Sequence, residues 1–204
     1  MSRTFNSLRI FLIFTAFIGG NILFTLPGTG FSNDIYRLIG NESKLEISGR
    51  TNIQSWDATV EISDYNIRVA EKENELPLFR LFTVAMPVES IDSGNSRQTS
   101  SIHEYLKADE HPEITFELTS KIDITPANGT YKTEAEGILT VAGESRDIKV
   151  KGTLESLDDA KIRISGNYEM KMSDFNVERP TALLGTIRAR DEMKVSFDLA
   201  LSPQ

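Results

Sequence analysis

The chain of 204 residues has no cysteine and only two histidines. Without cysteine there is no disulfide framework, no thiolate metal site and no thiol for a lipid anchor behind a leader segment. A chain of this length buries enough apolar surface to fold without such staples. The two imidazoles, His103 and His111, stand either side of a helix end, because Pro112 disfavours helix at His111; no third ligand stands at zinc spacing. They are expected to be solvent-exposed on a covering segment. A Gly-x-Ser-x-Gly nucleophile elbow is missing, and so is a glycine-rich phosphate loop. Basic residues are also short, 22 Lys and Arg against 30 Asp and Glu, for a net charge of -8. No basic cluster could neutralise phosphates, so nucleic acid is not an expected partner, and the acidity serves solubility. These absences point away from catalysis: no catalytic residue, metal or cofactor is expected.

Long apolar runs are confined to the first thirty residues. A mean hydropathy of -0.25 excludes a polytopic membrane protein, and 39% hydrophobic with 25% charged residues suits one globular domain. In residues 1–30, Arg3 and Arg9 precede the apolar run Ile10 to Ile18, and no acidic residue occurs. This is the pattern of an export signal, with Gly28 and Gly30 as the small residues before a cut after Gly30. A second apolar patch, Ile22 to Leu26, leaves the cleavage site open. An uncleaved anchor is the alternative, although Gly19, Gly20 and Asn21 make the run short for a full span. On either reading the domain, residues 31–204, is expected to be exported to the periplasm or secreted. It is expected to have no integral membrane segment once the leader is removed.

From residue 43 onward, period two dominates. KLEISG alternates Leu45 and Ile47; SWDATVEI alternates Trp56, Ala58, Val60 and Ile62; FTVAMPV alternates Phe82, Val84, Met86 and Val88. PEITFELTSKI, TYKTEAEGILTVAG, SRDIKVKGTLES, AKIRISGNYEMKM and DEMKVSFDLAL each carry one apolar and one polar row. One face of each strand meets water and the other a shared interior. Asn128-Gly129 and Asp158-Asp159 sit where tight hairpins need turn residues, so consecutive antiparallel neighbours are predicted. The pattern predicts an all-β domain of about eight such strands, packed as a sandwich or closed into a barrel.

Two segments break the alternation. NSRQTSSIHEYLKAD has Asn95 or Ser96 as N-cap and Ile102, Tyr105 and Leu106 on one stripe, which predicts a short amphipathic helix. SDFNVERPTALLGTIRAR, between Ser173 and Arg190, contains Pro180 and the apolar pair Leu183 and Leu184, and reads as a long loop. Such loops in compact domains are often lids or binding loops. Its Arg179, Arg188 and Arg190 could meet an anionic head group or simply form a solvated face.

The inward rows contain Trp56, Val60, Ile62, Val84, Met86, Phe116, Leu118, Ile148, Val150, Ile164, Tyr168, Met170, Val195, Phe197 and Leu199, with no charge among them. Such a lining could dissolve an alkyl or isoprenoid chain at about 0.8 kcal/mol per buried methylene. The same residues would also make a dry core filled by its own side chains. Gly137, Gly152 and Gly166 fall on the inward rows of successive strands. They let a curved barrel bend, and with Ala135 they form a patch of small residues expected to border a channel.

Four motifs together resemble the YceI-like domain family: SGRTNIQSWDATV, MPVESIDSG, YLKADEHPEITFEL and FNVERPTALLGTIRARDEMKVSFDL. The likeness runs from about Leu45 to Leu201, and departs from the common pattern at Gln54-Ser55 and Gln98-Thr99. The resemblance implies an eight-stranded, lipocalin-like antiparallel barrel of an exported bacterial protein. It also implies a long-chain apolar ligand, a polyisoprenoid or fatty chain. The residues expected to touch the ligand are Trp56, Val60, Val84, Met86, Phe116, Leu118, Gly137, Gly152, Gly166, Tyr168, Met170 and Phe197, covered by Ile102, Tyr105 and Leu106. The alternative is a non-catalytic structural or protein-interaction barrel with a filled core. Oligomeric state stays open.

Overall fold

The computed structural model describes residues 34–73 and 76–204; the leader expected at residues 1–30 lies outside them. Twelve strands form the scaffold: β1 (Ile35–Leu38), β2 (Lys44–Thr51), β3 (Ser55–Thr59), β4 (Asp64–Glu73), β5 (Leu76–Pro87), β6 (Glu113–Leu118), β7 (Asp123–Ala127), β8 (Thr130–Val141), β9 (Glu144–Ser156), β10 (Ile162–Lys171), β11 (Thr181–Ala182) and β12 (Ile187–Pro203). Among the described residues one α-helix, α1 (Ser96–Tyr105), interrupts them between β5 and β6.

The ladder closes on itself as an eight-strand antiparallel barrel. From β4 the order runs β5, β6, β8, β9, β10, β12, and β1 pairs with both β12 and β4. The 17-residue β12 makes this possible, because it pairs with β10 along one edge and with β2 and then β1 along the other. The break between β1 and β2 is a single 3-10 turn at Gly40–Glu42. There the Ser43 hydroxyl accepts from the Ala200 amide at 3.0 Å and donates to the Ile39 carbonyl at 2.8 Å. A side chain thus satisfies a backbone donor that the ladder would otherwise leave unpaired. The run PEITFELTSKI, expected as one strand, ends at Leu118; β6 and β7 pair with successive stretches of β8 on either side of the gap.

Turns follow local chemistry. Asn128 and Gly129 both have positive φ, 49° and 85°, the two left-handed residues that a tight β7–β8 hairpin requires. Ala142 and Gly143 do the same between β8 and β9, with φ of 48° and 83°. Along the outside, the Lys149 ammonium bridges Glu134 and Glu136 at 3.1 Å across the β8–β9 ladder. This solvated row marks the outer face and adds little stability.

Inside, the end of the barrel away from α1 is filled. Tyr36 packs edge-on against Phe79, and Phe79 against Phe82, with centroids 6.4 and 5.7 Å apart. Ile67, Val69, Leu154, Ile162 and Leu201 are buried with them. At the other end a second cluster gathers Leu139, Val141, Ala142 and Ile148 around Phe175, which is 1% exposed.

Candidate functional site

Between the plugged end and α1 lies an apolar cavity of about 250 Å³. No charged residue lines it, and its hydroxyls belong to Tyr105, Thr133 and Tyr168. The fifteen inward positions expected from the alternation all contribute to the lining, as do Ala135 and Gly152. Period two is a property of each strand by itself, and this is why the row survives folding unchanged. Four methionines line the space, Met86, Met170, Met172 and Met193, so every methionine of the chain except Met1 is committed to it. Unbranched thioether side chains adapt to irregular contents better than branched ones. The Tyr168 phenol is pushed up by burial, with a smaller push from the Asp174 carboxylate, so it stays neutral across the physiological range.

Two of the three glycines expected to border this space do not line it. A methyl on Gly137 would lie within 2.5 Å of the Phe116 ring, and one on Gly166 within 2.7 Å of the Phe197 ring. Each glycine is the floor on which an aromatic side chain from the neighbouring strand lies, so the absent side chain is replaced by a ring rather than by free volume. Gly49 repeats the arrangement beneath Trp56, its direct partner across the β2–β3 ladder. Gly152 does line the cavity, but the direction a side chain would take from it meets the Ser165 carbonyl oxygen at 2.7 Å. Gly152 and Gly166 are directly paired, and their missing side chains let β9 and β10 lie close.

The cover is built from both sides. Asn95 caps α1, its side-chain oxygen accepting from the Arg97 and Gln98 amides at 3.1 and 3.2 Å. Ile102, Tyr105 and Leu106 face the cavity. The histidines are half-buried rather than solvent-exposed, because each holds this segment in place. His103 Nε2 donates to the Ile91 carbonyl at 2.9 Å, and the His111 ring lies against Gly143 in the β8–β9 turn. Thr99, at one of the departures from the family pattern, bonds Ser93 through its hydroxyl at 3.0 Å and so ties α1 to the loop before it.

From the opposite side, the segment expected as one long loop is partly ordered. Met172–Phe175 forms a 3-10 turn, and β11 pairs with β12 as a short hairpin. Phe175 is sunk into the cluster at the cavity end, and Val177 and Pro180 reach the cavity itself. The Ser173 hydroxyl and amide both donate to the Asp191 carboxylate, at 2.6 and 2.9 Å. These two bonds, with Arg179 and Lys171 nearby, hold the Asp191 carboxyl below its ordinary range. Leu183 and Leu184 point away from the cavity into solvent.

Outside the barrel, an open groove runs beside the break in the β2–β12 ladder between Ala189 and Met193. Arg50, Lys171 and Lys194 line it together with Asp57, Glu169, Asp174 and Glu192, and Trp56, Met170 and Met193 border both groove and cavity. Among the described residues, no group of three or more His, Asp or Glu is placed to hold a metal ion. No described helix is long and apolar enough to cross a membrane.

The same architecture occurs in solved structures. Burkholderia cenocepacia BcnA superposes with a TM-score of 0.62 at 19% identity, covering 80% of this chain and 99% of that one. A polyisoprenoid binding domain from Saccharophagus degradans, implicated in plant cell wall breakdown, gives 0.63 at 13% identity, covering 83% and 98%. The Campylobacter jejuni YceI protein gives 0.52 at 20% identity, covering 71% and 84%. At these identities the likeness is one of fold. No curated protein matches the chain. The sequence itself matches a family over residues 36–201, nearly the whole barrel, and on that match the chain belongs to the YceI-like domain family.

Proposed function

We propose that this protein is an exported carrier that holds a long apolar chain, a polyisoprenoid or fatty-acid derivative, inside its barrel. The observation that carries this is the uncharged cavity closed at one end by Tyr36, Phe79 and Phe82 and covered at the other by α1. At about 30 Å³ per water-sized group, 250 Å³ accommodates on the order of eight methylenes without any movement. At about 0.8 kcal/mol each, that corresponds to roughly 6 kcal/mol of transfer free energy before the cost of association. A longer chain requires the four methionines to change rotamer and the cover to shift, and methionine is the residue that does so most readily. Binding is burial rather than chemistry. The polyisoprenoid-binding domain of Saccharophagus degradans supports the class of ligand, and Arg3, Arg9 and the apolar run behind them support export.

The test is native mass spectrometry of the protein purified from its own source, followed by organic extraction. One long apolar molecule per barrel is expected. Uptake of alkyl probes should rise with chain length and fall in Ala135→Phe, which adds a ring from a lining position. A protein that carries nothing and takes up no alkyl probe of any length would instead be a barrel with a filled core.

A further inference from the structure

Four large hydrophobic residues are exposed among the described residues, and three of them share one place. Ile53 (63% exposed) lies in the β2–β3 turn; Leu183 (71%) and Leu184 (108%) form the tip of the β11–β12 turn. Asn52 locks the two turns together. Its amide nitrogen Nδ2 donates to the Thr186 carbonyl at 3.0 Å, its Oδ1 accepts from the Arg188 amide at 2.9 Å, and its own amide donates to the Arg188 carbonyl at 3.0 Å. The backbone at the tip is left-handed at three successive residues, with φ of 49° at Leu183, 55° at Leu184 and 82° at Gly185. Glycine or asparagine would hold such a turn with less strain. Neither turn geometry nor core packing therefore accounts for two leucines there.

Arginine concentrates at the tip itself. The segment 179–190 carries Arg179, Arg188 and Arg190 and no acidic residue, while the acidic neighbours Glu178, Asp191 and Glu192 stand at its base, where Arg179 acts on the Asp191 carboxylate. Arg188 is fixed beside the leucines by its Nε, which donates to the Gly185 carbonyl at 2.8 Å. The tip also stands at the covered end of the barrel, since Pro180 from the same segment and Trp56, three residues after Ile53, line the cavity. An apolar wedge with Arg188 fixed beside it fits a bilayer whose surface is anionic: leucine enters the acyl boundary and guanidinium meets phosphate. A second copy of the chain fits less well, because a two-fold contact through this patch would set arginine against arginine.

We propose that the paired turns dock the barrel, cover end first, on a lipid surface bearing anionic head groups. The patch shares no residue with the cavity lining, so the proposal stands whether or not a chain is held inside.

The absence of cysteine allows a direct test in the full chain, independent of the apolar residues before the barrel. Thr186→Cys carries an environment-sensitive fluorophore beside intact leucines, and Asp158→Cys carries the same label in the β9–β10 turn at the other end. With phosphatidylglycerol-containing vesicles the label at 186 should shift to an apolar spectrum while that at 158 stays aqueous. The shift should shrink with salt and in Arg179→Ala/Arg190→Ala. Adding Leu183→Ser and Leu184→Ser to the 186-labelled chain should weaken its vesicle response by about tenfold or more, the scale of two leucines returned to water. Equal responses at both positions, an unchanged response without the leucines, or equal binding to purely zwitterionic vesicles would overturn the proposal. A lipid-independent shift that grows with protein concentration would also overturn it and assign the patch to self-association.

Discussion

Replacing Gly49 by alanine should move the only tryptophan of the chain into the cavity. Gly49 has ordinary strand backbone, and the new methyl would meet Trp56 Cζ2 at 2.8 Å, Met193 Sδ at 2.9 Å and Trp56 Cε2 at 3.0 Å. Carbon atoms rest about 3.5–4.0 Å apart, so the ring must retreat by roughly 0.7 Å or more, and the neighbours that yield are side chains. Overpacking of this kind costs about 1–3 kcal/mol, and the stiffer unfolded chain of an alanine variant offsets about 0.4–1 of it. The net lies between about 0 and 2.6 kcal/mol, and its midpoint, about 1.3 kcal/mol, corresponds to a fall in Tm of roughly 3–5 °C for a domain of this size. Trp56 emission reports the displacement directly. Every methylene excluded from the cavity weakens alkyl uptake by about 0.8 kcal/mol, roughly fourfold. An alanine variant with unchanged emission, Tm and uptake would refute the argument that Gly49 seats the ring and thereby shapes the cavity.

Gly166→Ala should be worse, because its methyl meets the Lys151 carbonyl oxygen at 2.6 Å and the Gly152 Cα at 2.9 Å, and backbone cannot retreat as a ring can; a loss of about 2 kcal/mol or more in denaturant unfolding is expected. Asn95→Ala removes the cap of α1 and should cost about 1 kcal/mol, seen as faster amide exchange across 96–105 with the barrel strands still protected. Asp191 is held below its ordinary range in the folded state, so its tie to Ser173 stabilises the 172–191 segment above about pH 4 and is lost as pH falls through the lowered value. Amide exchange in that segment should therefore rise only in strong acid, whereas Asp191→Asn should raise it at neutral pH; an unchanged neutral profile would show that the two bonds do not anchor the segment.

Much of the scaffold can be read locally. Alternation in AKIRISGNYEMKM or DEMKVSFDLAL assigns each side chain to a face, and the faces hold. Asn128-Gly129 marks its turn, Asn95 caps its helix, and Pro112 separates α1 from β6, because these effects act over one to four residues. The histidines, by contrast, were legible only as candidates for exposure, since their partners Ile91 and Gly143 lie 12 and 32 residues away.

What the sequence by itself determined is the inward row and its lack of charge, since strand periodicity is a property of the backbone. What only the tertiary structure decided is what fills the space behind that row. Whether a glycine leaves a gap or a bed for a ring depends on the residue across the ladder. Gly137 and Gly166 receive Phe116 and Phe197 from strands that lie well apart from them in the chain, and Gly49 receives Trp56 across the β2–β3 hairpin. The same holds for Leu183 and Leu184, whose outward direction follows from a left-handed turn tied to Asn52, more than 130 residues earlier.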